Sequence, residues 1–315
     1  MNFIENILGY FRCVDCKGKL TIKNSNCLRC DDCGRLYNIE GGIVSMLPKE
    51  MLSEKRENID KFSEMKLRNS QAKNYFAKTP ILYSKLLDKL ILQYLNIRNG
   101  DKTKKFLLDL GCGPGRIEHL LHDKYKMVFA VDFSKESLKI IDERAYKNVL
   151  LIQADVNKLP FTEEVFDDVC MVEFIQHIPS FCLREKLLLD VKNISKKGAK
   201  IILTSYNYNE KKTKQKLIYK KSESVLGEWG KTGYHAKSIY YYNYHYSELI
   251  PLVNQFFEIK NYFGFLLDFP LYIKIIRKLL RSMGADLNKF EAKWYSTGKD
   301  LKWGCRLFVS AVNEK

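Results

Sequence analysis

Residues 105–116 read KFLLDLGCGPGR, and this stretch decides the fold. Phe106, Leu107, Leu108 and Leu110 form a continuous apolar run broken only by Asp109. Such a run suits a strand of a parallel sheet buried on both faces, where apolar side chains need not alternate with polar ones. Gly111, Gly113 and Gly115 follow at two-residue intervals. Glycines there let the chain turn sharply and bring its backbone against a ligand at the carboxyl edge of the sheet. Beyond the turn, Ile117, Leu120 and Leu121 return at helical spacing. Strand, glycine turn and helix open a doubly wound α/β unit.

Working outward, three further apolar runs end in acids. Residues 127–132, MVFAVD, close on Asp132, 23 residues beyond Asp109. An acid at the tip of a second strand suits the two hydroxyls of a ribose. Residues 149–155, VLLIQAD, close on Asp155, and residues 166–173, FDDVCMVE, close on Glu173 before FIQHIP at 174–179. A fifth strand is expected over residues 198–205.

Taken together, LDLGCGPG, VDFS, ADVNKLPF and FDDVCMVEFIQHIP resemble the class I S-adenosylmethionine-dependent methyltransferases, the large family that includes ubiquinone and menaquinone methylases. The likeness covers about residues 105–206. The sixth motif position is Arg116, where dinucleotide-binding folds carry glycine, which favours S-adenosylmethionine over NAD. The resemblance implies a Rossmann-like seven-stranded α/β sheet with helices on both faces. It also implies roles for individual residues. Asp109, Gly111 and Gly113 would contact the methionine end, and Asp132 the ribose. Asp155 and Val156 would contact the adenine, and Glu173 the rim near the sulfonium. His177 would stand where substrate and cofactor meet, either ordering its loop or serving as general base.

Five cysteines crowd residues 13–33, CVDCKGKLTIKNSNCLRCDDC. Cys13 and Cys16 form one Cys-x2-Cys knuckle, and Cys30 and Cys33 a second. Each two-residue spacer aims two thiolates at one tetrahedral ion. We take these four as a structural zinc set, with Cys27 and Cys30 as the alternative second pair. The pattern, with Gly34, Tyr37, Ile39, Gly42, Ile43 and Met46-Leu47-Pro48 after it, resembles a small zinc-ribbon family. That family includes the activator subunit of eukaryotic tRNA and release-factor methyltransferases. Val14, Asn38 and Val44 stand where it usually has proline. Four thiolates leave no open coordination position, so the implied role is structural.

The expected organisation is a zinc ribbon over residues 1–48, a linking helical region over 49–104 and the methyltransferase domain over 105–315. In the linking region Tyr83, Leu86, Leu87, Leu90, Ile91 and Tyr94 keep the spacing of an amphipathic helix. A last core helix is expected over 247–253 and an antiparallel strand pair over 256–265 and 303–312. A variable cap over 206–246 holds nine of the nineteen tyrosines, the run Lys211, Lys212, Lys214 and Lys216, and two further histidine candidates, His235 and His245. An insertion over 266–302 contains a basic amphipathic stretch at 270–281 that would suit contact with an anionic membrane surface or a core face.

The 315 residues carry a net charge of +16, yet only 12 of the 53 basic residues are arginine. Arginine is the stronger bidentate phosphate ligand, so this lysine excess argues weakly for nucleic acid. Two acceptor classes stay open: a small molecule, lipid or glycan, or an RNA held by the basic surface. A zinc-dependent binding module without catalysis fits poorly with the intact cofactor acids. No apolar stretch reaches bilayer-spanning length, and residues 1–12 lack the pattern of a signal peptide. A cytoplasmic protein is expected, of unspecified oligomeric state.

Overall fold

The computed structural model describes residues 5, 7–52, 59–74, 81–97, 102–208, 232–235, 239–267, 282, 301 and 304–314. Four short strands come first: β1 (Leu20–Asn24), β2 (Cys27–Cys30), β3 (Leu36–Glu40) and β4 (Ile43–Met46). Helices α1 (Ile59–Gln71) and α2 (Ile81–Tyr94) follow. The alternating region holds β5 (Phe106–Leu110), α3 (Arg116–Leu121), β6 (Met127–Asp132), α4 (Lys135–Asp142), β7 (Val149–Ala154), β8 (Phe166–Met171), α5 (Phe181–Ile194) and β9 (Ser195–Tyr206). A separate two-stranded piece, β10 (Thr232–His235) and β11 (Ile239–Tyr242), precedes α6 (Tyr246–Asn254), β12 (Glu258–Leu267) and β13 (Gly304–Val312).

One sheet runs in the order β1-β2-β3-β4-β7-β6-β5-β8-β9-β13-β12. From β7 to β9 its strands are parallel, and β13 enters antiparallel between β9 and β12. These seven strands match the expected arrangement. The other four differ from it, because the N-terminal segment does not stand apart. β4 pairs in parallel with β7, with Ile43 opposite Leu151 and Met46 opposite Ala154, so the sheet has 11 strands.

Side-chain alternation along the strands builds a core on each face. Phe106, Leu108, Leu110, Phe129, Val131, Ile201 and Leu203 point to one side, where Leu187, Leu188 and Val191 of α5 cover them. The N-terminal Ile7, Phe11, Val14, Leu20, Leu28 and Tyr37 belong to the same core. Phe11 lies 5.5 Å from Phe161 and 6.3 Å from Phe129, ring centre to ring centre. Leu107, Val128 and Ile202 point to the other side, against Leu87, Leu90 and Ile91 of α2 and Ile117 and Leu121 of α3. The spacing read over residues 83–94 thus resolves as a packed helix. Lys211, Lys212, Lys214, Lys216 and most of the 266–302 insertion, including the 270–281 stretch, lie outside the described residues.

Candidate cofactor site and cysteine cluster

The sheet sets three acids side by side at its carboxyl edge. Asp109 is the fourth residue of β5, Asp132 ends β6, and Asp155 follows β7. Asp132 is organised by backbone amides: Gly113 N donates to Oδ2 at 2.9 Å and Ser134 N to Oδ1 at 2.8 Å. Burial raises its pKa, while those amides and the nearby Arg68 oppose the rise. Ser134 Oγ also donates to Asn69 Oδ1 at 2.6 Å, so α1 closes over this corner. Asp155 caps the short turn that follows it, accepting from the Asn157 amide at 3.0 Å and from Asn157 Nδ2 at 2.9 Å. Val156, next along, is half-buried.

The glycine turn supplies the floor. Gly111 and Gly113 both have positive φ, 74° and 52°, a region costly for residues with a Cβ. At Gly111 a Cβ would collide with the Phe174 ring at 2.2 Å, whereas at Gly113 nothing lies within 4 Å of that position. The turn therefore presents one packed and one open face. Asp109 is buried, and its carboxyl contacts that of Glu118 on α3. Burial raises both pKa values; Glu118 adds to the rise at Asp109, whereas the hydrogen-bonding contact with Asp109 lowers that of Glu118.

Beyond β8 the chain bends at Glu173, a non-glycine residue at φ 53°. Strain of this kind persists where surrounding contacts hold it. Here Glu173 N donates to Thr204 Oγ1 at 2.9 Å, and Arg306 Nε donates to Glu173 Oε2 at 2.8 Å. The Arg306 guanidinium lies 4.3 Å above the Tyr206 ring. His177 follows in a short turn, with Nδ1 placed 2.7 Å from the Tyr240 carbonyl of β11. That contact makes Nδ1 the donor, which leaves Nε2 as the acceptor nitrogen of the neutral ring. Its ring stands edge-on to Tyr206, and Tyr206 edge-on to Tyr241. His245 is elsewhere, capping α6 in a reciprocal box with Glu248. His235 pairs with Ile239 in the small sheet.

At the opposite end of the first strands, Cys13, Cys16, Cys30 and Cys33 place their sulfurs within 4.8 Å of one another. The Cys13 and Cys33 sulfurs stand 3.7 Å apart and those of Cys16 and Cys30 3.4 Å. A tetrahedral zinc with bonds of about 2.3 Å would space its sulfurs by about 3.8 Å, so the cluster fits such an ion. Cys27 stands outside the cluster, with Sγ turned to the Leu28 carbonyl. Tyr37 accepts from Val14 N at 3.2 Å and lies 2.9 Å from Cys13 Sγ, where its hydroxyl can donate. Burial pushes the Cys13 thiol up, but the Tyr37 hydroxyl and the Cys16 and Asp15 amides outweigh it and bring the thiol to about 7. Arg35 holds the fold around the cluster, donating to Asp15 Oδ2 and to the Leu47 carbonyl, both at 2.6 Å.

The first knuckle touches the loop that carries Asp155. Arg12 N donates to the Pro160 carbonyl at 2.8 Å, Thr162 N to the Tyr10 carbonyl at 2.9 Å, and Lys17 Nζ to the Leu159 carbonyl at 3.1 Å. Residues absent from the expected set are Glu118, Arg306, Thr204 and Phe174. None of them left a signal in the sequence; Glu118 reads there as an ordinary acid in the first turn of a helix.

Residues 108–203 match the sequence profile of a family described as "Methyltransferase domain". The chain is 30% identical over 127 residues to the ubiquinone/menaquinone biosynthesis C-methyltransferase UbiE of Wigglesworthia glossinidia brevipalpis, covering 38% of this chain and 48% of that protein. It is 28% identical over 102 residues to the ubiquinone biosynthesis O-methyltransferase of Haemophilus ducreyi, covering 30% and 43%. The chain thus spans less than half the length of these curated relatives. The crystal structure of the PH0226 protein from Pyrococcus horikoshii OT3 aligns with a TM-score of 0.50 at 16% identity, covering 75% of this chain and 92% of that one. Residues 108–203 are thus similar to a methyltransferase domain, and the fold is a Rossmann-like α/β sheet.

Proposed function

We propose that this chain is an S-adenosylmethionine-dependent methyltransferase acting on an oxygen or nitrogen of a small molecule, lipid or glycan. The observation that carries this reading is the row Asp109, Asp132 and Asp155 on three adjacent strands around the open face of Gly113. A nucleoside with an amino-acid tail needs that order: acid and amides for the tail, an acid for the ribose hydroxyls, an acid and an amide for the adenine. Asp109, Gly111 and Gly113 would hold the methionine end, Asp132 the ribose, and Asp155 and Val156 the adenine.

When bound, the cofactor supplies an electrophilic methyl group on a sulfonium; the protein's share is positioning, desolvation and proton removal. Glu173, fixed by Arg306 and Thr204, would form the rim near that group. The wall of His177, Tyr206 and Tyr241 suits a planar acceptor. The His177 Nε2 is the atom that would take the acceptor's proton, with the Tyr240 carbonyl steadying the ring through Nδ1. The named relatives methylate carbon or oxygen according to their descriptions, so the choice of atom here rests on His177.

Cys13, Cys16, Cys30 and Cys33 would hold one structural zinc. Metal analysis of the purified chain should find one zinc per chain, lost in Cys33→Ser and kept in Cys27→Ser. RNA as acceptor has less support, because Lys17 is turned to the Leu159 carbonyl rather than outward. Among the described residues no helix is long and apolar enough to cross a membrane. Incubating the chain with labelled S-adenosylmethionine and a panel of phenolic, lipid, glycan and RNA acceptors tests the proposal. Methyl transfer to a small acceptor that His177→Ala abolishes is the expected result. Transfer to RNA alone, falling steeply with salt, would replace the acceptor class.

A further inference from the structure

Beneath the glycine turn lies a buried acid with no assigned task. Glu118 is in the first turn of α3, on the face it shares with Ile117 and Leu121, and none of its surface is exposed. Among the described residues, no amide, hydroxyl or cation of another residue donates to either of its carboxyl oxygens. What it meets is the carboxyl of Asp109.

Two carboxyls in contact, away from water and without a matching cation, do not both ionise near neutrality; the pair keeps a proton. Burial is the chief cause, and it raises Glu118 to about 7. Its own backbone amide and the contact with Asp109 lower it without reversing the rise. Asp132 on β6 adds negative charge on both acids, and the neighbouring Cys112 and Cys170 are buried thiols held neutral by their own desolvation. Arg144, after α4, draws Glu118 downward, but its Nη1 donates to the Gly115 carbonyl at 3.1 Å. Arg116 faces away, to Asp88 and Ser84 of α2. Asp109 lies two residues before Gly111 and Glu118 three after Gly115, so the pair flanks a turn that has nothing within 4 Å of a Cβ placed at Gly113.

We propose that Asp109 and Glu118 together form the binding site for the ammonium group of the cofactor's amino-acid end, and that the pair releases its shared proton when that ammonium arrives. This rests on reading the glycine turn as the S-adenosylmethionine site. The balance is simple. Before binding, two carboxyls share one proton; afterwards both are carboxylates beside one ammonium, and the proton has passed to the buffer. Glu118 is then a binding residue that neither glycine spacing nor strand-end acids reveal.

Two ligands isolate the effect. S-adenosylhomocysteine has the ammonium, while 5′-methylthioadenosine keeps the adenosine and thioether but lacks the amino-acid end. Calorimetric titration of the full chain at about pH 6.5, in phosphate and in Tris, reads proton release from the difference in heat between buffers. The expected result is release of close to one proton with S-adenosylhomocysteine and none with 5′-methylthioadenosine. Affinity for S-adenosylhomocysteine should also rise by up to about tenfold per pH unit below the pair's pKa, as one-proton linkage requires. In Glu118→Gln both the release and the pH dependence should vanish while 5′-methylthioadenosine binds as before. If that variant fails to fold, the contrast between the two ligands on the natural chain still decides. Equal heats in both buffers for S-adenosylhomocysteine, or unchanged release in a folded Glu118→Gln, would overturn the inference while leaving the cofactor reading intact. Binding of neither ligand to the natural chain would remove both.

Discussion

Asp168 and Asp109 are buried carboxyls on neighbouring strands of one sheet, and the protein treats them in opposite ways. Asp168, near the amino end of β8, accepts from Lys102 Nζ at 2.6 Å and from the Tyr125 hydroxyl at 2.8 Å. Asp109, at the carboxyl end of β5, meets only another acid among the contacts described here. Both are desolvated, and burial raises both. A buried charge that is matched inside the chain belongs to the architecture. One left unmatched at the edge where ligands bind in such sheets belongs to a site whose cation comes from outside. The cysteine cluster sits on the architectural side of that division: its four sulfurs face one another, and its strands extend the sheet.

The largest effect should come from the cluster. In zinc-finger peptides the metal contributes about 10–16 kcal/mol of folding free energy. A ribbon separate from the core would lose its own structure on chelation and spare the rest. With β4 paired to β7 and Phe11 packed on Phe161, chelation should instead lower the unfolding temperature of the whole chain. Scanning calorimetry with and without a strong chelator distinguishes the two; a core transition that does not move would restore the two-unit picture.

Next in size is the matched acid. Lys102→Met strands the Asp168 charge in the interior and should cost about 3–5 kcal/mol in urea unfolding. The double variant Lys102→Met, Asp168→Leu should recover most of that loss. A single variant as stable as the natural chain would mean that Asp168 is not held as described.

At the carboxyl edge, Asp132→Ala removes the acid proposed to hold the ribose and should weaken S-adenosylhomocysteine by about 1.5–3 kcal/mol, the scale of hydrogen bonds to charged groups. Unchanged affinity in a folded variant would move the ribose elsewhere.

The smallest effect is a pH slope. Glu118 has its folded pKa raised above the ordinary carboxyl value, to about 7, so its contribution to stability is present below the unfolded pKa and is lost as pH rises through the folded one. Without cofactor, the chain should therefore lose stability between about pH 5 and pH 8. Glu118→Gln should flatten that loss, and denaturant titrations at several pH values would show it. An equal slope in both proteins would assign the loss to other groups.

How much of this was legible depended on whether a local pattern carried the signal. The run from Phe106 to Leu110, the glycine turn and the terminal acids Asp132 and Asp155 announce themselves, because strand burial and strand ends leave marks in adjacent residues. The two cysteine knuckles do so by spacing, and the structure brings the four expected sulfurs together. The joining of β4 to β7 left no such mark. Ile43–Met46 is four residues long, and its partner lies more than a hundred residues away. His245 looked like a candidate base because its chemistry was visible while its position as a helix cap was not. Glu118 reads in sequence as an ordinary acid in a first helical turn, where the helix dipole favours it. Only packing shows that it points into the core.

The central claim is that the carboxyl edge around Gly113 holds S-adenosylmethionine. A crystal structure of the full chain grown with S-adenosylhomocysteine tests it most directly. The account predicts density along the glycine turn, with the ribose hydroxyls on Asp132, the adenine beside Asp155 and Val156, and the amino group within hydrogen-bond distance of Asp109 or Glu118. Density for the ligand at any other place, with this edge left to solvent, would contradict it.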